Sequence, residues 1–208
     1  MKRSDILSKA KIASGGRLSK TLSELEQSGF IDRSTPYKGS NDSLYRLTDE
    51  YCMFYIKYIV KTKPSKSGVW NKLQGQQSFK IWSGFRFETI CIKHVEEIKE
   101  TLKIAGINST HGSWLEKKNN SGAQIDLLLD RSDNVINICE MKFYNSEYTI
   151  NKKYADEITN KINTFKKSSK TKKSLFVTFI TSFGVKENKY SLQHVQNEVT
   201  LDDLFIKL

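Results

Sequence analysis

Asp126, Glu140 and Lys142 are two carboxylates and an ammonium whose spacing could bring them to one place. Glu140 and Lys142 stand two apart in an apolar run at 135–143, so on a strand both project to one face. Their neighbours Ile138 and Cys139 are apolar, so these charges would rise from a buried strand, where each needs a partner. Ser132-Asp133-Asn134 reads as a three-residue hairpin loop, with Asn134 suited to the left-handed position. Such a loop pairs residue 131 with 135 and sets Asp126 opposite Glu140. Two carboxylates at close range repel, and a hard divalent cation relieves the repulsion. Mg²⁺ takes one or two carboxylates together with water and phosphate oxygens. The bound ion would acidify water, and Lys142 could orient that water and offset charge developing on a phosphate. Phosphodiester hydrolysis is the chemistry implied; a solvent-facing Glu140–Lys142 ion pair is the alternative that spacing alone leaves open.

The elements that would position these residues follow from periodicity. A helix is predicted over 84–102, with Phe87, Ile90, Cys91, Val95, Ile98 and Leu102 at helical spacing. Strands are predicted at 107–114, 124–130 and 135–143, then a helix at 151–165 with Tyr154, Ile158, Ile162 and Phe165 on one stripe. A buried strand at 174–183 and a final segment at 195–208 complete the chain. The order helix-β-β-β-helix-β predicts an α/β fold whose mixed sheet has its central strand flanked by helices.

The first fifty residues read differently. A short helix begins at Ser4-Asp5, Ala13 to Gly16 is turn chemistry, and Leu18, Leu22 and Leu25 line one face of a second helix. Gly29 is placed to stop that helix, and two strands flank a loop at 36–43. This is the layout of a winged helix-turn-helix, which serves contact with DNA or with protein. It lacks the usual preceding helix, as a cut module would. An aromatic-rich helix at 48–63 and a linker at 61–75 follow, dividing the chain into 1–65 and 66–208.

Charge adds a partner class. The 208 residues carry 34 Lys and Arg against 23 Asp and Glu, a net +11. Residues 1–63 hold +5 of this and the short stretch 151–173 holds +6, with the remainder near neutral. Clustered basic charge suits a polyanion such as nucleic acid. Arg17, Lys20 and Lys38 in the first block, with Lys152, Lys153 and Lys161 in the second, are the candidate phosphate contacts. The three helix lysines are taken to lie off the apolar stripe; a plain solvated face would look the same. A hydrophobic fraction of 38% and only 2 Pro exclude global disorder and collagen-like chains. Cys52, Cys91 and Cys139 are odd in number and lack ligand spacing, which argues against a disulfide framework or zinc. His94, His111 and His194 read as surface or packing residues, and Trp70, Trp82 and Trp114 as anchors. No run is long enough to span a bilayer and no signal peptide opens the chain, so a cytoplasmic protein without membrane contact is expected.

Asp126…Glu140-Met141-Lys142 resembles the PD-(D/E)XK nuclease signature, and Glu88 in Gly84-Phe85-Arg86-Phe87-Glu88 matches the glutamate such proteins carry on the helix before the sheet. The resemblance implies Asp126, Glu140 and Glu88 as ligands of Mg²⁺ or Mn²⁺, the Met141 carbonyl as a further ligand, and Lys142 as catalytic. Gln124, two residues before Asp126 on its strand, is a supporting residue. Ser14 to Lys20, Ser43 to Tyr51, Trp82 to Phe85 and Gly122 to Leu127 are similar to the C-terminal half of a prokaryotic AAA-type ATPase family. That half joins a winged helix to a PD-(D/E)XK-like domain. No GxxxxGK[ST] occurs, so ATP hydrolysis by this chain is not expected, and a P-loop domain or subunit becomes an expected partner. The implied function is a DNA-binding, metal-dependent nuclease-like protein. The alternative is a catalytically inactive module that binds nucleic acid or protein and regulates an ATPase.

Overall fold

The computed structural model describes residues 1–37, 43–60, 68–116 and 122–205. Two units divide it, Met1–Lys80 and Ile81–Leu208. The boundary expected at 65/66 lies outside the described residues.

In the first unit α1 (Arg3–Ala10) precedes α2 (Gly16–Gln27). Leu18 and Leu22, four apart, are the buried residues of α2. Gly29 ends α2 at φ +74°: its N–H donates to the Glu26 carbonyl, and that of Phe30 to Leu25, both at 3.0 Å. This is the Schellman closure that the glycine signals. β1 (Ile31–Ser34) and β2 (Leu44–Leu47) pair antiparallel, Ile31 opposite Leu47. Asp49 then caps α3 (Glu50–Phe54), its carboxylate accepting from the Cys52 N–H at 2.6 Å. The helix continues as one π-helical stretch, Tyr55–Ile59, and does not run unbroken as expected. Inside the expected linker lies α4 (Val69–Gln74), which starts after Gly68 at φ +76°. Trp70 of α4 stands edge-on to Phe54 at 5.9 Å and to Phe79 at 5.6 Å, which gives this short helix a reason to form.

The second unit is built on α5 (Gln77–Lys93), which begins just before it, and α6 (Val95–Thr101). A single helix was expected here; it breaks at His94, φ −103° and ψ 35°. β3 (Ser109–Glu116), β4 (Ala123–Arg131) and β5 (Val135–Lys142) form an antiparallel meander. α7 (Lys152–Ser169) then crosses over to β6 (Ser174–Thr181), parallel to β5. α8 (Lys189–His194) leads to the short β7 (Asn197–Thr200), parallel to β6, and a 3-10 turn at Asp202–Leu204. The sheet order β3-β4-β5-β6-β7 is mixed, with β5 at its centre. The fold is therefore mixed α/β, as the element order predicts; α8 and β7 were not foreseen as separate elements.

Leu127, Leu129, Cys139, Met141 and Ile180 of the sheet pack with Phe87, Cys91, Val95 and Ile98 of α5 and α6. Val177 and Phe179 pack with Ala155 and Ile158 of α7. Each Leu, Ile, Val, Phe or Met among these contributes roughly 1.5–3 kcal/mol by leaving water, which makes this sheet a rigid platform. Among the described residues no helix is long and apolar enough to cross a membrane.

Candidate active site around Glu140

The β4–β5 hairpin closes through Ser132-Asp133-Asn134, with Asn134 at φ +64°. Leu127 pairs with Cys139, Leu128 with Ile138, Leu129 with Asn137 and Asp130 with Ile136. This is the register expected from the loop. The observed pairs stop at Leu127, so Asp126 and Glu140 are the first residues beyond them on their strands.

On its other side β4 carries a bulge. Gly112 pairs with Leu128 but Trp114 pairs with Ile125, so Ser113 alone faces both Asp126 and Leu127. A bulge bends its strand and re-aims the extra side chain, and such bulges collect beside functional sites. Asp126 is half-buried there, and the Gln124 amide donates to its Oδ1 at 2.6 Å. The expected placement of Gln124 beside Asp126 thus appears as a direct hydrogen bond.

Glu140 is 4% exposed in the central strand. Both its oxygens are held from α7: Tyr154 donates its hydroxyl to Oε2 at 2.6 Å, and the Lys161 ammonium pairs with Oε1. Asn151 caps α7, accepting from the Tyr154 N–H at 2.9 Å, and so fixes where the helix begins. Tyr154 and Lys161 are seven apart, almost two full turns, and therefore lie on one face. Burial, then the Glu140 charge and its hydrogen bond, push the Tyr154 phenol well above its ordinary value, so it remains a donor. Tyr148, edge-on to Tyr154 at 5.7 Å, is pushed up to about 12, chiefly by burial and then by Glu140.

The Lys142 ammonium stands 4.8 Å from the centre of the Tyr154 ring, a cation-π contact. Glu140, Lys142, Tyr154 and Lys161 are thus brought together. No hydrogen bond or ion pair between Lys142 and Glu140 accounts for the burial of that carboxylate; its cationic partner is Lys161. Met141 turns its side chain into the opposite core and lies in the sheet opposite Ile180. Glu88 is half-buried on α5, the helix that covers the face opposite α7, and its charge adds to the burial that raises the Cys91 thiol.

Expected phosphate contacts divide. Arg17 is exposed, and Lys20 is exposed beside Glu24 at 3.8 Å. Lys152 is exposed, and Lys153 is 88% exposed beside Glu157. Lys38 lies outside the described residues. Lys161 is corrected: it belongs to the buried stripe, because 161 falls about 20° from Tyr154 on a helix of 100° per residue. Spacing alone could have found it. Lys173 is likewise drawn inward, to Asp130 at 2.6 Å and to the Arg131 carbonyl.

No protein-family model matches this chain, and no curated protein is significantly similar to it. Among solved structures it is similar to the crystal structure of AF1548, a protein of unknown function, at 16% identity and a TM-score of 0.39. That match covers 55% of this chain and 64% of the other, so the chain spans less than two thirds of that structure's length. A likeness of that size carries no argument, and the site rests on its own geometry.

The remaining expected features are quickly placed. The three cysteines are free. His94 stands edge-on to Phe205 at 4.8 Å, and His111 is exposed. Trp114 is buried against Phe165, whereas Trp70 is 48% exposed and only partly an anchor. An open cleft of about 630 Å³ lies in the first unit, lined by Arg3, Leu7, Ser19, Leu22, Arg33 and Tyr45. Arg3 is spent there on Ser19 and the Gly15 carbonyl, and Arg33 on Ser43.

Proposed function

We propose that the second unit is a PD-(D/E)XK-type nuclease-like domain acting on the phosphodiester backbone of DNA, and that the first is a winged-helix module that helps to hold it. The observation that carries this reading is the β4–β5 hairpin register, which stops at Leu127 and Cys139 and leaves Asp126 and Glu140 as the next residues on the two strands, with Lys142 two residues on. Exposed Arg17 and Lys20 on α2, with Lys152 and Lys153 at the start of α7, support contact with phosphates.

Hard carboxylate oxygens are the donors that Mg²⁺ or Mn²⁺ accepts, and one or two suffice when water and substrate phosphate fill the other positions. By donor type Asp126 and Glu140 fit such an ion. No group of three or more His, Cys, Asp or Glu among the described residues could hold a metal. When bound, a divalent ion lowers the pKa of water and offsets phosphate charge. The chain's own part is positional. Gln124 holds Asp126, Tyr154 holds Glu140, and Lys142 presents a cation steadied over an aromatic ring for the developing phosphate charge. Any ATP-driven step would come from a separate P-loop domain or subunit.

Incubating the full chain with labelled DNA and Mg²⁺ or Mn²⁺ tests this. Cleavage is expected, with a loss of about 10²-fold or more in Lys142→Ala and Asp126→Ala that keep their folded circular dichroism. Equal inertness of wild type and both variants would remove the enzyme reading. The second reading, an inactive binding module, is favoured by one observation: both Glu140 oxygens already have partners. Salt-dependent DNA binding without cleavage, unchanged in Asp126→Ala, would establish it.

A further inference from the structure

We infer that Lys161 is the built-in counter-cation of this site, standing beside Glu140 where a divalent ion would bind, and that metal loading displaces it. The inference rests on reading Glu140 as a cation-binding carboxylate. A carboxylate 4% exposed in a central strand cannot remain charged without compensation, and Lys161 supplies it at Oε1. An ammonium held against that oxygen repels an approaching divalent ion, so the two compete for Glu140.

The two partners of Glu140 differ in their freedom to leave. Tyr154 is fixed, its ring edge-on to Tyr148 at 5.7 Å and to Phe179 at 6.3 Å, with the Lys142 ammonium over its face. Lys161 reaches the site on four methylenes, and 23% of its side chain is exposed. It therefore has an open path to water, and withdrawing a lysine head along its flexible stem costs little packing. Lys142 is not the displaced cation, because its ammonium rests on the Tyr154 ring and not on Glu140. The site thus has a closed form, charge-neutral and metal-free, and an open form in which Lys161 has swung out and Glu140 faces the ion.

Mn²⁺ alone, titrated into the full chain without DNA and followed by the paramagnetic resonance of the free ion, reads this directly. Lys161→Met is expected to bind Mn²⁺ about ten-fold more tightly than wild type, Lys161→Arg no more tightly, and Glu140→Gln to lose the site. A folded Lys161→Met with unchanged or weaker affinity overturns the inference. Should that variant not fold, the wild type still decides. Acylation of Lys161 by an amine reagent, measured by peptide mass against Lys153, should rise severalfold with Mn²⁺; unchanged protection overturns the inference. If neither wild type nor Lys161→Met takes up Mn²⁺ at millimolar concentration, the cation-site reading itself falls. If wild type binds through Glu140 while Lys161 stays protected, only the displacement falls.

Discussion

Beneath α5 and α6 the sheet presents Leu127, Leu129, Cys139, Met141 and Ile180; beneath α7 it presents Val177 and Phe179 beside the carboxylate of Glu140. The first face buries one polar cluster near its margin, where the Asn137 amide reaches Thr178 at 2.9 Å and receives Arg131 at 3.2 Å. Its one charge there, Arg131, is answered by Asp133 from the adjoining loop, so nothing is imported from a helix. The second face buries a formal charge, and keeps it only by importing Lys161 and Tyr154 from the crossover helix. One face is a platform. The other holds the candidate site, and its stability is conditional on its partners.

The largest expected difference comes from breaking the platform. Leu129→Ala, at a fully buried position, should cost about 4 kcal/mol in urea unfolding, with the same loss with and without Mn²⁺. On the other face Lys161→Met strands the Glu140 charge and should cost about 3 kcal/mol without metal, part of it recovered by Mn²⁺. An unrecovered loss would make the two faces alike. Tyr154→Phe removes one hydrogen bond to a charged group and should cost about 1.5 kcal/mol.

The faces should also differ with pH. Tyr148 and Tyr154 are raised in the folded chain from an ordinary value of 10.0, Tyr148 to about 12. Their contribution is complete below pH 10, where both states are protonated. It fades as pH rises through 10 to 12, because the unfolded chain ionises first. Urea titrations across that window should show the decline in wild type and a shallower one in Tyr148→Phe. The smallest effect is chemical. Cys91 and Cys139 are buried with thiols raised by that burial, while Cys52 is half-buried. A native chain should alkylate at Cys52 first, and at all three only in denaturant.

Sequence reasoning reached whatever local chemistry decides. Asn134 named the loop, the loop named the register, and the register holds in all four observed β4–β5 pairs. Gly29 likewise stopped α2 where expected. What it missed depends on neighbours distant in the chain. The bulge at Asp126 answers to β3, which pairs across it; the glycine that flanks the place, Gly112, stands on that partner strand and not on β4 itself. His94 does not forbid a helix; the change of direction there lets both α5 and α6 lay apolar residues on the same core. Lys161 was misread because a lysine on an apolar stripe looks like an error until a buried carboxylate is placed beneath it. The types of residue at the site were legible; which cation answers which anion was not.

The change of strand direction at β5 has a consequence for the order of assembly. The strands β3, β4 and β5 meet through short connections, so their pairing needs little closure of chain. β6 can pair with β5 only after residues 143–173 have folded back as the crossover, and such long-range parallel pairing is slow. Tyr154 and Lys161 both travel on that crossover. A half-folded chain that holds only the meander therefore carries Glu140 in water, with neither partner and no site. The candidate site matures late, with the pairing that completes the sheet.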